Sequence, residues 1–351
     1  MTPLPDTFKD RLKKQFGPRV RFNEPMRGHT SLRTGGPAEV WVEPDHPEEL
    51  KEIFQECRYN HFNFMVIGGG TNLLVKDTGI KGVVVSLKKC FNQIRMLEQD
   101  RSGILVEIGA GVKTPVLLGW AAQNSLKGLS GLAGIPGTVG GAVMMNAGAG
   151  PSTRSGAAGD CLYEIDILSS DGRTMTIKRE DMRFGYRFFA FKGMAAPQEG
   201  NAEKKESAAG ILLNARFLLT PGDAAQIKAE NRELLTARKK SQPSGRGSAG
   251  CFFKNPAPDY ETGYETDYKT GHGIENKNSC KNGKSAGRLI DLAGLKGKRI
   301  GGAEVSALHA NFIINRGSAT SADFLALIDV IRNTVFRTFH ITLETEVKVI
   351  G

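Results

Sequence analysis

What this sequence lacks narrows its chemistry. Among 351 residues there are five cysteines, Cys57, Cys90, Cys161, Cys251 and Cys280, an odd number with no Cys-x-x-Cys pair. That pattern argues against a disulfide framework and against a zinc site. The six histidines stand singly, without metal-ligand spacing. Eighteen apolar residues never run together, and the opening "MTPLPDTFKDRLKKQF" has no apolar core of a signal peptide. A reducing cytoplasm is the expected location, with no membrane partner. Aromatics are only 7%, and no nucleic-acid-binding pattern is visible, so the net charge of +10 does not by itself indicate a nucleic-acid partner. The cations come in short groups such as Lys13-Lys14 and Arg238-Lys239-Lys240 rather than in a dense block, and the surplus fits phosphate-bearing ligands.

The length allows two or three packed units. Residues 1–22 read as an amphipathic lead-in. "AEVWVEP" (38–44), "FNFMVIGGG" (62–70), "KGVVVSL" (81–87), "GILVEIGAG" (103–111) and "GILLNARFLL" (210–219) read as strands. "HPEELKEIFQEC" (46–57) starts as a helix at Pro47, and "TPVLLGWAAQNS" (114–125) has Thr114 as N-cap and Pro115 at the first position. "EIDILSSDGRTMTI" (164–177) is a hairpin turning near Asp171-Gly172. Later helices fall at 223–240, 285–293 and 321–339. The closing "HITLETEVKVI" (340–350) reads as one strand, with Glu344, Glu346 and Lys348 on its polar face. Two segments look inserted, 193–210 and 258–284. The second carries Tyr-x-Thr at Tyr260, Tyr264 and Tyr268, and both read as loops.

Two glycine-rich stretches are the strongest local signals. "VIGGGTNLLV" (66–75) is a strand end, three glycines, then Thr71 and Asn72. Successive glycine amides can form a concave anion nest. The spacing is neither a P-loop nor Gly-x-Gly-x-x-Gly. In "GLSGLAGIPGTVGGA" (128–142) glycine recurs at 128, 131, 134, 137 and 140. So many glycines predict no helix there, at about 1 kcal/mol each relative to alanine. Together the two stretches point to a phosphate-bearing cofactor held by main chain, and do not say which.

A third feature is "GSAGCFFKNP" (247–256), where small residues lead into the Cys251 thiol beside Lys254 and Asn255. Taken with "HTSLRTGGPAEVWVEP", "GLAGIPGTVGGAVMMNAGA", "FGYRFFAF", "SAGRLIDLAGLKGKRIGGAEVSALHANFIIN" and "LETEVKVI", in that order from residue 29 to the C-terminus, the chain resembles the UDP-N-acetylenolpyruvoylglucosamine reductase family, in a cysteine-containing variant. The resemblance implies an α+β fold: an FAD-binding domain of the PCMH and vanillyl-alcohol-oxidase type at 23–221, in two subdomains divided near 88, and a C-terminal α+β substrate-binding domain at 222–351. It implies FAD on Gly68, Gly69, Gly70, Thr71, Asn72, Leu73, Ile135, Pro136, Gly137, Thr138, Gly140 and Gly141. It implies NADPH as hydride donor and reduction of UDP-N-acetylglucosamine enolpyruvate for peptidoglycan precursor synthesis. Cys251 would be the acid, Arg187 the carboxylate clamp and Glu346 the catalytic glutamate. Tyr186, Lys239, Lys254, Asn255 and Lys348 would contact substrate. A different FAD-dependent oxidoreductase of the same fold, acting on an alcohol or sugar, is the alternative. A monomer is expected.

Overall fold

In the computed structural model, residues 3–99, 102–148, 156–193, 210–245, 247–256 and 285–351 are described. The Tyr-x-Thr segment and nearly all of the 193–210 insertion lie outside them. Among the described residues no helix is long and apolar enough to cross a membrane.

The first residues, read as an amphipathic lead-in, pack their apolar face into a core. Helix α1 (Asp6–Phe16) buries Phe8, Leu12 and Phe16, one face at four-residue spacing, and Leu4 joins them. Strands β1 (Val20–Pro25) and β2 (Pro37–Val42), helix α2 (Pro47–Tyr59), and strands β3 (Phe64–Ile67), β4 (Leu73–Val75) and β5 (Ile80–Ser86) follow. The sheet runs β1-β2-β5-β3, with β2 and β3 parallel to β5. Both faces are covered: Val40, Val42, Val83 and Val85 meet the α1 and α2 side, while Trp41 and Val84 meet Met26, Ile67 and Val75. That explains unbroken apolar runs in place of alternation. Buried Glu39 ties the layers, accepting from the amides of Leu4 (2.8 Å) and Gly82 (3.0 Å) and pairing with Lys9 at 3.1 Å.

The second unit contains β6 (Ile94–Gln99), β7 (Ile104–Gly109), α3 (Thr114–Gln123), β8 (Leu126–Lys127), α4 (Val139–Met144), β9 (Leu162–Leu168), β10 (Thr174–Lys178), β11 (Met182–Gly185), β12 (Phe188–Phe191) and β13 (Ile211–Pro221). Its antiparallel sheet runs β10-β9-β13-β7-β6, and β8 also pairs with β13. The register sets Arg216 of β13 opposite Glu107 and Glu164, and its guanidinium bonds Glu107, Glu164 and Asp166 at 2.7–2.9 Å. Two expectations fail here. Lys113, not Thr114, precedes α3 as its cap, because the Thr114 hydroxyl donates to the Ile135 carbonyl at 2.6 Å. The glycine-rich stretch ends in a helix, α4, which includes Gly140 and Gly141. A Cβ at Gly140 would stand 2.9 Å from that of Ala110, so the helix sits where only glycine fits, and tertiary packing overrides propensity.

The third unit has α5 (Ala224–Ser241), β14 (Gly247–Cys251), α6 (Ala286–Leu292), β15 (Arg299–Ile300), β16 (Ala303–Val305), β17 (Phe312–Asn315), α7 (Ser321–Phe339) and β18 (Lys348–Ile350). Its antiparallel sheet, β14-β17-β16-β15, is covered by α7 through Phe324, Leu327, Ile328, Ile331 and Val335. The Asp77 carboxylate, from the first unit, accepts from the Ser321 and Ala322 amides at 2.9 and 3.1 Å and so helps cap α7. The expected 340–350 strand is not continuous. Only Lys348–Ile350 is regular, pairing parallel with β4, and residues 344–346 turn instead toward residues 252–254.

Candidate active site

Arg187 enters the site on a two-residue turn. Strands β11 and β12 pair Gly185 with Phe188, leaving Tyr186 and Arg187 as the loop. Arg187 adopts φ +54°, a left-handed conformation uncommon for a residue with a Cβ. Its Nε donates to Glu346 Oε1 at 2.5 Å, and its guanidinium lies 5.3 Å from the Tyr186 ring centre.

Glu346 and Cys251 are brought together by backbone pairing. Phe253 bridges Thr345, the Lys254 amide donates to the Glu344 carbonyl at 2.9 Å, and the Glu346 amide donates to the Phe252 carbonyl at 2.8 Å. This register turns Glu346 inward, with 10% of its side chain exposed, and Glu344 outward, with 73% exposed. Buried Asn311 fixes the other strand. Its Oδ1 accepts from the Phe253 amide at 2.9 Å, its Nδ2 donates to the Phe253 carbonyl at 2.8 Å, and its side chain modestly favours the Cys251 thiolate.

The charges act on one another. Burial, reinforced by the Glu346 charge, pushes the Cys251 thiol up to about 12, while Arg187 and Arg238 pull the other way. Burial also raises Glu346 above the ordinary carboxylate range, only partly opposed by Arg187. Tyr186 is pushed up to about 12 by burial and by Glu346. Burial opposes the Arg187 charge, but Glu346 outweighs it and holds the guanidinium above its ordinary value. Glu346 Oε2 is buried with no hydrogen-bond partner among the described residues.

The glycine stretches face each other beside this cluster. A Cβ on Gly69 would come within 2.6 Å of Gly137 Cα, and one on Gly68 within 2.5 Å of Thr138 Oγ1. Gly70, at φ +62°, would place a Cβ 1.9 Å from the His29 carbonyl oxygen. The Thr71 hydroxyl donates to the Pro136 carbonyl at 3.2 Å, linking the loops, and Asn72 Nδ2 donates to the Glu346 carbonyl at 3.1 Å. Among the described residues no acceptor takes the amides of Gly68, Gly69, Gly70 or Thr71. In the second loop the Val139 and Gly140 amides are already bonded, to the carbonyls of Val112 and Ala110.

Other candidates divide. Lys254 Nζ pairs with Glu344 at 3.1 Å, Asn255 Oδ1 accepts from the Ala286 amide at 3.1 Å, and exposed Lys348 begins β18 beside Asn72. Lys239 is exposed and is not brought to the cluster. Its neighbour Arg238, one residue and about 100° away around α5, is turned in. There burial and the Arg187 charge lower its pKa, and its Cδ fills the space over Gly134. Sequence reasoning offered the Arg238–Lys240 group but chose Lys239 within it, and it missed Asn311. The only signal for Asn311 was its place inside the "HANFIIN" stretch.

Comparison with known proteins agrees with this architecture. Residues 242–350 match the family model "UDP-N-acetylenolpyruvoylglucosamine reductase, C-terminal domain", and residues 38–178 match an FAD binding domain. The chain is 38% identical to the UDP-N-acetylenolpyruvoylglucosamine reductase of Desulfosudis oleivorans over 344 residues, covering 98% of each, and 38% identical to that of Geobacter metallireducens over 346 residues, covering 99% of each. The crystal structure of the Thermus caldophilus enzyme of this name superposes with a TM-score of 0.68 at 32% identity, covering 95% of this chain and 98% of that one. With an α+β FAD-binding unit, a matching C-terminal domain and full-length relatives, this chain belongs to the UDP-N-acetylenolpyruvoylglucosamine reductase family.

Proposed function

We propose that the protein reduces UDP-N-acetylglucosamine enolpyruvate to UDP-N-acetylmuramate, with FAD as cofactor and NADPH as hydride donor, as a step of peptidoglycan precursor synthesis. The observation that carries this reading is the convergence of a desolvated thiol, an arginine and a buried carboxyl beside two facing glycine loops. The loops fit a dinucleotide. The unbonded amides of Gly68 to Thr71 are donors suited to a pyrophosphate, and Cβ-free contacts keep the wall thin. Residues Gly68–Leu73 and Ile135–Gly141 would hold it. Bound FAD would supply hydride transfer from NADPH to the enolpyruvyl double bond.

The chain's own groups handle charge and proton. Arg187 presents a guanidinium that can bind the substrate carboxylate and steady negative charge as it develops next to it. Glu346 holds the Arg187 Nε and so sets the orientation of that fork. Cys251 donates its Sγ–H proton to the carbon adjacent to the carboxylate. A pKa near 12 keeps the sulfur protonated until that charge appears, and Arg187 and Arg238 stabilise the thiolate left behind. Tyr186, Lys254, Asn255 and Lys348 surround the cluster as contacts for the UDP-sugar, with Arg238 taking the inward position expected of Lys239.

The test is a purified sample with flavin absorbance whose NADPH consumption depends on UDP-N-acetylglucosamine enolpyruvate. Rapid reaction with oxygen in the presence of an alcohol or sugar, and no response to the enolpyruvyl compound, would favour the other oxidoreductase reading.

A further inference from the structure

Asn72 links the first glycine loop to the closing segment of the chain. Its Nδ2 donates to the Glu346 carbonyl oxygen at 3.1 Å, across 274 residues. Its own carbonyl accepts from the Lys348 amide at 3.0 Å, so Asn72 brackets residues 346 and 348 with side chain and main chain together. The Lys348 bond continues the parallel β4–β18 pairing past Leu73–Lys348, and the side-chain bond reaches two residues further back, to the residue that carries the buried carboxyl. Glu346 is thereby suspended from two sides. Its amide is held by the Phe252 carbonyl, next to Cys251, and its carbonyl by the first glycine loop. Its carboxyl has one partner, Arg187, while Oε2 is buried with no partner among the described residues. Little besides the backbone anchors keeps that carboxyl in register, and hydrogen bonds weaken steeply with small displacements.

We propose that Asn72 is a positioning residue for Glu346, tying the carboxyl to the first glycine loop so that ordering of residues 68–72 by a pyrophosphate-bearing cofactor also orders the acid group. The Asn72 side chain is committed to Glu346 and to Met145 Sδ, 3.6 Å away, so what it adds to a cofactor cradle is main chain. This inference rests on the proposed function, which makes the glycine loop a cofactor site and Glu346 part of the reaction.

A double-mutant cycle tests it. Asn72→Ala, Glu346→Gln and the double variant are compared with the parent for two quantities. The first is FAD affinity of the apoprotein, read by flavin fluorescence. The second is the single-turnover rate at which UDP-N-acetylglucosamine enolpyruvate restores flavin absorbance after NADPH bleaching. A residue acting through Glu346 has nothing to position once the carboxylate is gone. Asn72→Ala is therefore expected to slow the parent about tenfold or more and the Glu346→Gln background less than about twofold. FAD affinity is expected to fall less than about threefold, since the cradle is main chain. Asn72→Asp keeps the shape but offers the carbonyl no donor, and it should be as slow as Asn72→Ala. It also serves as the readout if alanine does not fold. Equal losses in both backgrounds, no loss in the parent, or a parent-like Asn72→Asp overturns the proposal alone. Glu346→Gln at the parent rate overturns the underlying reading of Glu346 and the proposal with it.

Discussion

Arg187 Nε stands 2.5 Å from Glu346 Oε1, joining a hairpin turn of the second unit to the closing segment of the third across 159 residues. The pair uses Nε alone, so the planar guanidinium is oriented by Glu346 while its terminal amino groups remain to face a carboxylate, which a point charge could not do. Arg187→Lys should keep the charge, lose the fixed geometry, and lower turnover by about 10²–10³-fold, while NADPH still bleaches the flavin. Steady-state assays beside anaerobic absorbance traces check both halves, and a lysine variant at parental turnover would show that orientation is unimportant.

The same carboxyl predicts a pH-dependent stability. Burial raises Glu346 above its unfolded value, so the folded state binds its proton more tightly than the unfolded chain does. Its contribution is unpenalised below the unfolded carboxylate pKa and becomes increasingly unfavourable as pH rises from there through the folded value. The melting temperature of Glu346→Gln minus that of the parent should therefore increase between about pH 4 and neutrality. A flat or falling difference across that window contradicts the assignment.

Cys251 should be a sluggish thiol. With a pKa pushed up to about 12 it is protonated at pH 8, and iodoacetamide labelling of its peptide, followed by mass spectrometry, should be slow there and accelerate with pH through 10. Rapid labelling at pH 7 would mean a stabilised thiolate, which cannot serve as proton donor.

The glycine loops predict contrasting alanine variants. Gly70→Ala meets the His29 carbonyl at 1.9 Å and a φ of +62°, and it should cost about 1–3 kcal/mol with a loss of FAD retention. Gly119, inside α3 with nothing within 4 Å, should gain about 0.5–1 kcal/mol as alanine. Urea denaturation with a flavin-release assay separates the two, and a fully stable, flavin-retaining Gly70→Ala would remove the steric argument.

Much of this fold was legible in sequence, and the misses share a cause. Helices α2, α5 and α7 announce themselves by caps and periodicity, and β2, β5 and β13 by apolar content. Helix α4 was hidden because glycines are poor helix formers alone, and one of its two, Gly140, is required by contact with Ala110. The closing segment read as one strand because its two partners, residues 252–254 and β4, are distant in sequence and leave no periodic mark. Lys239 and Arg238 could not be told apart without the phase of α5. Cys251, Arg187 and Glu346 were recognised by motif, whereas the Asn311 clamp and the Asn72 link exist only once the chain is folded.

Anaerobic stopped-flow on Cys251→Ala asks directly whether the Cys251 sulfur supplies the proton. NADPH is expected to bleach the flavin at close to the parental rate, UDP-N-acetylglucosamine enolpyruvate then to restore the absorbance at least about 10³-fold more slowly, and Cys251→Ser to recover much of the loss. An alanine variant that recovers its absorbance as fast as the parent would contradict the claim.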